Sequence, residues 1–479
     1  MAKKIPNREN LSVWEKKIDR NVIIAIFVLA FLARFLTFGE SHTVDINMIK
    51  WWTGRLSNFS EFNNFYTSGT HCVYGPGYMY LLSISGHLAN LFKVTAENPA
   101  FEVFIKMWGL IAETLGAFVI YKIGKQQRQQ LMGIIVGIVY MFLPAIILNS
   151  TYWGQFDSIL GTLLLCSVYF FYRGKKIPAG IIYVYAVMTK PQAIFIAPLV
   201  LYVYFLKDYK FKKQETPYFT KEYWKETIIG GFTTVGSYIL FLLPISIPAV
   251  INLEKNPAVG GFGIEEVGRT ILFSTPFHWF IDLIMWFPRH TIIYAQDYNY
   301  GSANGFNFWY AIGKQIVGVD EPFWGKTIEF WSTIFVVLIC IFAICMLVKF
   351  KANAYSIFGC SFLLMFGWFM FYTKIHERYL VGSIIFAAVC IFWDKLAIIP
   401  FIVVSTITFY NQYFLYESSK LEHYWLSPGD PVVAQDYHTG VIFSILLLLT
   451  FFLVCLRLAT VSVEKSENRS LILGGKNEK

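Results

Sequence analysis

The sequence is poor in charged residues: Asp, Glu, Lys and Arg make up only 15% of its 479 residues. Soluble domains carry about 25% charged residues, so this shortage excludes an ordinary water-soluble globule. The chain is instead 56% hydrophobic and 19% aromatic. Apolar windows long enough to cross a hydrocarbon core of about 30 Å recur from end to end. The composition therefore predicts an all-α, polytopic membrane protein.

Paired cysteines and a cleavage site are also lacking. Six of the seven cysteines lie in apolar runs, where Cys behaves as a small hydrophobic residue, and only Cys72 falls in a predicted outer loop. Without a Cys-x-x-Cys pair, neither a zinc site nor a disulfide framework is indicated. No small-residue cleavage site follows the first apolar run, which predicts a retained first helix and not a signal peptide.

Acidic residues are fewer than basic ones, and the formal net charge is +9. The Lys and Arg residues gather in short loops and at the termini, with no basic patch on a soluble domain. The positive-inside rule explains this distribution. We therefore predict contact with a lipid bilayer and no nucleic-acid partner.

The apolar segments predict roughly twelve transmembrane helices. They are 21–38, 102–121, 131–149, 158–172, 177–189, 191–206, 228–250, 328–349, 354–372, 379–394, 396–414 and 438–457. Placing the basic loops in the cytoplasm leaves the two longest loops, 39–101 and 251–327, on the opposite side. We expect an interfacial helix in each, over 78–95 and 271–288, because a crossing at 78–95 would reverse the charge pattern of the following loops.

These boundaries predict one membrane domain with five parts. They are a cytoplasmic leader (1–20), a catalytic transmembrane module (21–250, including the outer loop 39–101), an outer loop (251–327), a C-terminal transmembrane module (328–460) and a cytoplasmic tail (461–479).

With this topology, the unusual polar residues fall on one face of the membrane. They are Asp45 after the first span, Gln155 and Asp157 before the fourth, Lys190 and Gln192 at a tight turn, and His376, Glu377 and Arg378 between two late spans. An ionisable group at the centre of a membrane helix costs about 2.5–3.5 kcal/mol. So many on one side predict a shared polar cavity.

Each residue has a simpler interpretation. Asp45 could lie in a solvated loop, Asp157 could cap a helix, and Lys190 could extend its ammonium to the interface. Two further charges, Arg34 and Glu113, lie within spans, and we expect them to pair with each other or with cavity groups.

Five motifs along the chain resemble those of the type C glycosyltransferases. The most similar group is the polyprenyl-phosphate-sugar-dependent mannosyl- and glucosyltransferases, which includes the family like the second GPI mannosyltransferase. After the acid in the first outer loop come "VYGPGYMYLL" (73–82), "WGQFD" (153–157), "KPQ" (190–192), "SANGFNFWY" (302–310) and "KIHERYL" (374–380). Two departures are Gly75 in a Tyr-Pro-Pro element and a single acid at Asp45, without the acidic neighbour found in protein O-mannosyltransferases.

The resemblance implies transfer of a hexose from a polyprenyl-phosphate donor to an acceptor hydroxyl on the non-cytoplasmic face, with inversion and without a metal or other cofactor. An inverting displacement needs a base for the acceptor proton and cations for the leaving phosphate. We assign Asp45 as base, with Asp157 ordering Asp45, the acceptor or His376. The donor-phosphate ligands would be Lys190, His376 and Arg378. The other substrate contacts would be Tyr74, Gln155, Gln192, Asn304 and Glu377.

The aromatic residues Trp51, Trp52, Tyr152, Trp153 and Trp309 could stack on sugars, but an interfacial belt explains most of them. The alternative function is a flippase or transporter for lipid-linked sugars, although no inverted repeat is visible. The acceptor would be a glycan or glycolipid. We expect a bacterial cytoplasmic membrane with the site on its outer face, or alternatively the endoplasmic reticulum with the site in the lumen.

Overall fold

The computed structural model describes residues 18–62, 64–66, 72, 74–205, 221–255, 284–285, 287–288, 291, 299–419 and 431–461. Most of the predicted leader, the predicted tail and most of the predicted interfacial helix 271–288 lie outside these residues.

The described chain is helical, with one minimal hairpin, which confirms the all-α prediction. The helices are α1 (Arg20–Arg34), α2 (Val44–Leu56), α3 (Phe59–Phe62), α4 (Pro76–Leu91), α5 (Phe101–Gln126), α6 (Gln130–Met141), α7 (Pro144–Ile147), α8 (Asp157–Tyr172), α9 (Lys176–Thr189), α10 (Ala197–Phe205), α11 (Lys221–Lys255), α12 (Phe308–Ala311), α13 (Ile328–Lys349), α14 (Ala354–Phe371), α15 (Val381–Cys390), α16 (Ile398–Ser419) and α17 (Pro431–Thr460). Strands β1 (Pro322–Phe323) and β2 (Lys326–Thr327) pair antiparallel.

The number of membrane crossings, predicted as twelve, stays a prediction. Every predicted segment is helical, but within the described residues seven helices are long and apolar enough to cross a membrane, or eight if the bent pair α6–α7 is one span. The four apolar helices α8, α9, α10 (with the turn before it) and α15 are shorter. Apolar composition is common to a full crossing and to a short buried helix, so the sequence pattern could not separate them.

Short helices fit because they pack around a buried centre. Every residue of α14 and of α15 is buried, as expected for helices that are apolar on all sides. Helix α8 packs against α5, α9 and α15. The loop 372–380 joins α14 to α15, and His376, Glu377 and Arg378 within it are buried.

One buried ion pair and two hydrogen bonds to hydroxyl groups hold the segment that leads into this centre. Arg34 at the end of α1 pairs with Glu113 of α5, both fully buried, which confirms the predicted pair. The Arg34 guanidinium also donates to the Thr151 and Ser150 hydroxyls, at 3.1 and 3.3 Å. It thereby holds the π-helical turn Leu148–Tyr152 that leads towards α8.

Helix α4 forms where the first interfacial helix was predicted. Its first residue is Pro76, whose fixed φ suits the start of a helix. One side of α4 is buried against α2, α5 and α9. Its position relative to the bilayer stays a prediction.

Candidate active site

Asp45 lies in the first turn of α2, and its side chain is 35% exposed. Its carboxylate accepts hydrogen bonds from the Trp153 indole at 3.1 Å and the Gln155 amide at 2.8 Å. One Arg378 guanidinium nitrogen lies 3.8 Å from the same carboxylate oxygen. Asp45 is therefore a partly open acid oriented by buried groups, and not a solvated loop residue.

The segment that presents Trp153 and Gln155 is shaped by an irregular backbone. A π-helical turn ends at Tyr152, and Gly154 follows with φ = +80°, a left-handed conformation that Gly adopts without steric cost. The Gln155 N–H donates to the Asn149 carbonyl at 2.8 Å. Such turns recur at functional sites because they redirect side chains from a regular helix. Here they direct an indole and an amide at Asp45.

Asp157 is the first residue of α8 and is buried. One of its carboxylate oxygens pairs with the Lys190 ammonium, and the other accepts from the Asn149 amide at 3.2 Å. The predicted ordering of Asp45 or His376 by Asp157 is wrong, since within the described residues its hydrogen bonds go to Lys190 and Asn149. Asp157 lies in the first turn of α8, where a negative charge suits the helix dipole, but no capping hydrogen bond joins it to the described residues of that helix.

Lys190 follows α9 and is fully buried, so the interfacial alternative is wrong. Its ammonium lies 4.6 Å from the Tyr379 ring centroid, 5.0 Å from that of Phe156 and 5.9 Å from that of Tyr74. Aromatic faces attract cations at such distances. Burial lowers the pKa of Lys190, while the Asp157 carboxylate favours the charged form.

The loop before α15 contributes a second set of charges. Arg378 donates to Glu377 at 2.5 Å, and its guanidinium lies 5.6 Å from the Trp153 ring centroid. Within the described residues, Arg378 Nε and Glu377 Oε2 are buried without a hydrogen-bond partner. Buried polar groups normally find a partner, ordered water included. The unpaired Nε and Oε2 are therefore exceptions to this rule.

His376 lies in the same loop, 3.9 Å from Glu377. Burial, together with the cations Arg378 and Lys190, lowers its pKa well below the usual value. This direction favours the neutral imidazole in the ligand-free protein, and the role of His376 as a phosphate ligand stays a prediction. The imidazole can still donate or accept one hydrogen bond at each ring nitrogen.

The 302–310 motif reaches this loop through its backbone. The Ala303 N–H donates to the Ile375 carbonyl at 2.8 Å, and Asn304 pairs with His376 as an isolated bridge. Asn304 has φ = +64°, and its carbonyl accepts from Asn411 at 2.8 Å. The two motifs therefore meet, while the role of Asn304 as a substrate contact stays a prediction.

The structure joins nine of the ten predicted residues into one cluster, because Tyr379 contacts both Lys190 and Arg378. Gln192 is the exception: within the described residues, no hydrogen bond links it to the cluster, and its Oε1 is buried without a partner. Sequence reasoning missed two residues of the cluster, Tyr379 and Asn149. The Asn149 amide donates to Asp157 and also to the Gln412 side-chain oxygen, at 3.0 Å.

The aromatic residues differ in burial, and for the exposed ones the interfacial belt stays a prediction. Trp51 and Tyr152 are exposed. Trp52, Trp153 and Trp309 are buried, so for these three it is wrong. Trp153 binds Asp45, and its position inside "WGQFD" was the available signal.

The motifs that meet in this cluster are those that resemble the type C membrane glycosyltransferases. Residues 78–254 match the model of a family described as the ALG6, ALG8 glycosyltransferase family. The matched range contains Asp157 and Lys190. This match confirms the predicted resemblance, and with the membrane-length helices it supports an integral membrane glycosyltransferase.

Two solved structures are similar to this chain. One is the Archaeoglobus fulgidus oligosaccharyltransferase in the apo form, with a TM-score of 0.42 and 14% identity over 96% of this chain and 57% of that one. The other is the archaeal oligosaccharyltransferase AglB from the same organism, in complex with an inhibitory peptide and a dolichol-phosphate, with a TM-score of 0.42 and 12% identity over 93% and 56%. The chain spans little more than half the length of these proteins. No curated protein matches the sequence.

Proposed function

We propose that the protein transfers a hexose from a polyprenyl-phosphate carrier to an acceptor hydroxyl, with Asp45 as the general base. The observation that carries the proposal is the environment of Asp45. It is a partly exposed carboxylate, held by Trp153 and Gln155 and close to the buried cation Arg378. An exposed acid fixed beside a cation suits a reaction that removes a proton and releases a phosphate.

In the proposed reaction, the acceptor oxygen attacks the anomeric carbon while its proton passes to Asp45. The bond from the anomeric carbon to the phosphate oxygen breaks, and the lipid phosphate leaves with the electron pair from the opposite face. Arg378 stabilises that phosphate, because its guanidinium lies beside the partly exposed Asp45 carboxylate and arginine binds phosphate in a bidentate manner. On arrival, the phosphate replaces Asp45 as a counter-ion of Arg378, which leaves the base available.

Lys190 would act mainly through its charge. Its ammonium is engaged by Asp157 and lies among three aromatic rings, so it adds positive potential beneath the phosphate. We propose that the reaction needs no metal, because both oxygens of Asp157 already bind Lys190 and Asn149. We place the site on the non-cytoplasmic face of a bacterial cell membrane, with the endoplasmic reticulum as the alternative.

The test is sugar transfer by the purified protein in nanodiscs. The assay supplies a panel of polyprenyl-phosphate hexoses and membrane lipid extract, with and without EDTA. We expect Asp45→Asn to lower transfer by about a hundredfold or more, the range of general-base contributions. Asp320→Asn, the same change at an exposed acid, should leave transfer unchanged.

Each other result has a definite meaning. Equal transfer by wild type and Asp45→Asn would exclude Asp45 as the base. Loss of transfer in EDTA would overturn the metal-free proposal. If the wild type moves the lipid-linked sugar across a vesicle membrane without transferring it, the transporter alternative replaces the enzyme.

A further inference from the structure

A basic cavity lies at the far end of the bundle from the candidate active site. Its volume is about 560 Å³, and it is lined by Lys122, Lys125, Gln126, Tyr169, Phe170, Arg173 and Lys175. Helix α5 connects the two regions. Lys106, near the first turn of α5, binds the Gly39 carbonyl on the site side, and Lys122 is 16 residues later, about 24 Å along the axis.

The lining is strongly cationic. Four of its seven residues are Lys or Arg, and within the described part of the chain none of the seven is acidic. The same four cations form no ion pair with any described residue. The positive-inside rule accounts for basic residues in each of the two segments that line the cavity. The observation that points to an anionic ligand is that the two segments bring four cations, without an ion-pair partner among the described residues, to one cavity.

An apolar track leads along α5 to the cavity. Ile111, Leu115 and Phe118 are exposed, and their spacing of four and three residues continues to Lys122, so all four lie on one face of the helix. The Lys122 ammonium lies 5.0 Å from the Phe118 ring centroid. A cation at the end of a membrane-facing apolar track matches a molecule with a hydrocarbon tail and an anionic head.

We propose that this cavity binds the phosphate-bearing headgroup of an anionic membrane lipid, whose acyl chain lies along Ile111, Leu115 and Phe118. Basic pockets between membrane helices recognise such headgroups. Tyr169 and Phe170 form the aromatic wall of the cavity, and Gln126 donates to the Tyr169 hydroxyl at 2.8 Å. In the predicted topology this is the cytoplasmic leaflet, opposite the leaflet of the candidate site.

Lipid binding to the full-length protein tests this inference. Native mass spectrometry and a thermal-shift assay would compare phosphatidylglycerol with phosphatidylcholine of the same acyl chains. The test variant is K122Q/K125Q/R173Q/K175Q. The matched control, K93Q/K326Q/K351Q/K395Q, removes four exposed cations elsewhere. We expect the test variant to lose about tenfold or more of its phosphatidylglycerol affinity, and the control to keep it.

Further measurements distinguish a lipid headgroup from a soluble phosphate and control for misfolding. Unchanged phosphatidylcholine binding shows that the test variant is folded; if it does not fold, K122Q/K125Q and R173Q/K175Q are measured separately. Glycerophosphoglycerol, the headgroup without tails, should compete weakly. If it competes as well as the lipid, the cavity takes a soluble phosphate and the lipid proposal fails. Equal phosphatidylglycerol binding by the test and control variants would overturn the site altogether.

Discussion

At the residue scale, the role of each charged residue near the candidate site depends on whether it forms a buried ion pair. Lys190 and Asp157 were each predicted from their own motif, but their pairing was not. They are separated by 33 residues, and no local pattern indicates that a turn after one helix will meet the start of another. The pairing makes both residues part of the support of the site, while Asp45 alone keeps a partly exposed carboxylate.

Removing one member of this pair should cost more than neutralising both. We expect Lys190→Gln or Asp157→Asn alone to destabilise the protein by about 3–5 kcal/mol, because each leaves a buried charge unpaired. The double variant should lose less than either single variant, as measured by thermal unfolding in detergent. If the double variant is as unstable as the sum of the two, the pair carries no coupling.

His376 should make stability depend on pH. Because its pKa is lowered in the folded state, the unfolded chain takes up the proton first as the pH falls below about 6.5. The contribution to stability is therefore constant above that pH and is lost as the pH falls towards the lowered pKa.

The measurement is the melting temperature of wild type and His376→Gln between pH 8 and pH 5. The variant should show a flatter profile below pH 6.5. His438→Gln, a change at an exposed histidine, should keep the wild-type profile. Identical profiles for wild type and His376→Gln would contradict the neutral assignment.

At the element scale, α5 and α6 pack closely against each other. A Cβ atom added at Gly137 of α6 would lie 2.7 Å from the Ala117 carbonyl oxygen of α5. Small residues allow membrane helices to approach so closely. The sequence "GIIVG" (133–137) contains this signal, although its partner helix could not be read from it.

We expect Gly137→Val to separate α5 from α6 and to destabilise the protein by about 1–3 kcal/mol, the usual cost of overpacking. The control is Gly231→Val in α11, where an added Cβ meets no atom within 4 Å. Its melting temperature should stay close to that of wild type. Equal shifts for the two variants would show that helix propensity, and not packing, is responsible.

At the scale of the whole molecule, the sequence predicted which segments are helical but not how many cross the membrane. Helices α14 and α15 are buried throughout, and α15 needs only ten residues because neighbouring helices surround it. The irregular turn 148–152 could not be predicted from the sequence either, because its contacts with Arg34 and Gln412 come from distant parts of the chain. The cluster itself was predictable because its residues come in short motifs at helix ends.

The orientation of the molecule can be tested by labelling. With the site outside, Lys326→Cys should react with a membrane-impermeant maleimide in intact cells, whereas Lys175→Cys should react only after the membrane is opened. Both positions are exposed, and the unmodified chain, with its seven free cysteines, provides the background. The opposite labelling pattern would place the candidate site in the cytoplasm.

The pairing of Asp157 with Lys190 also has a consequence for biogenesis. The carboxylate is made 33 residues before its cation, which at 5–20 residues per second corresponds to about 2–7 s of synthesis. During that interval α8 carries an unpaired charge at its leading end, so it cannot settle alone at its final depth. Helices α8 and α9 should therefore leave the insertion machinery together, as one unit, once Lys190 has been translated.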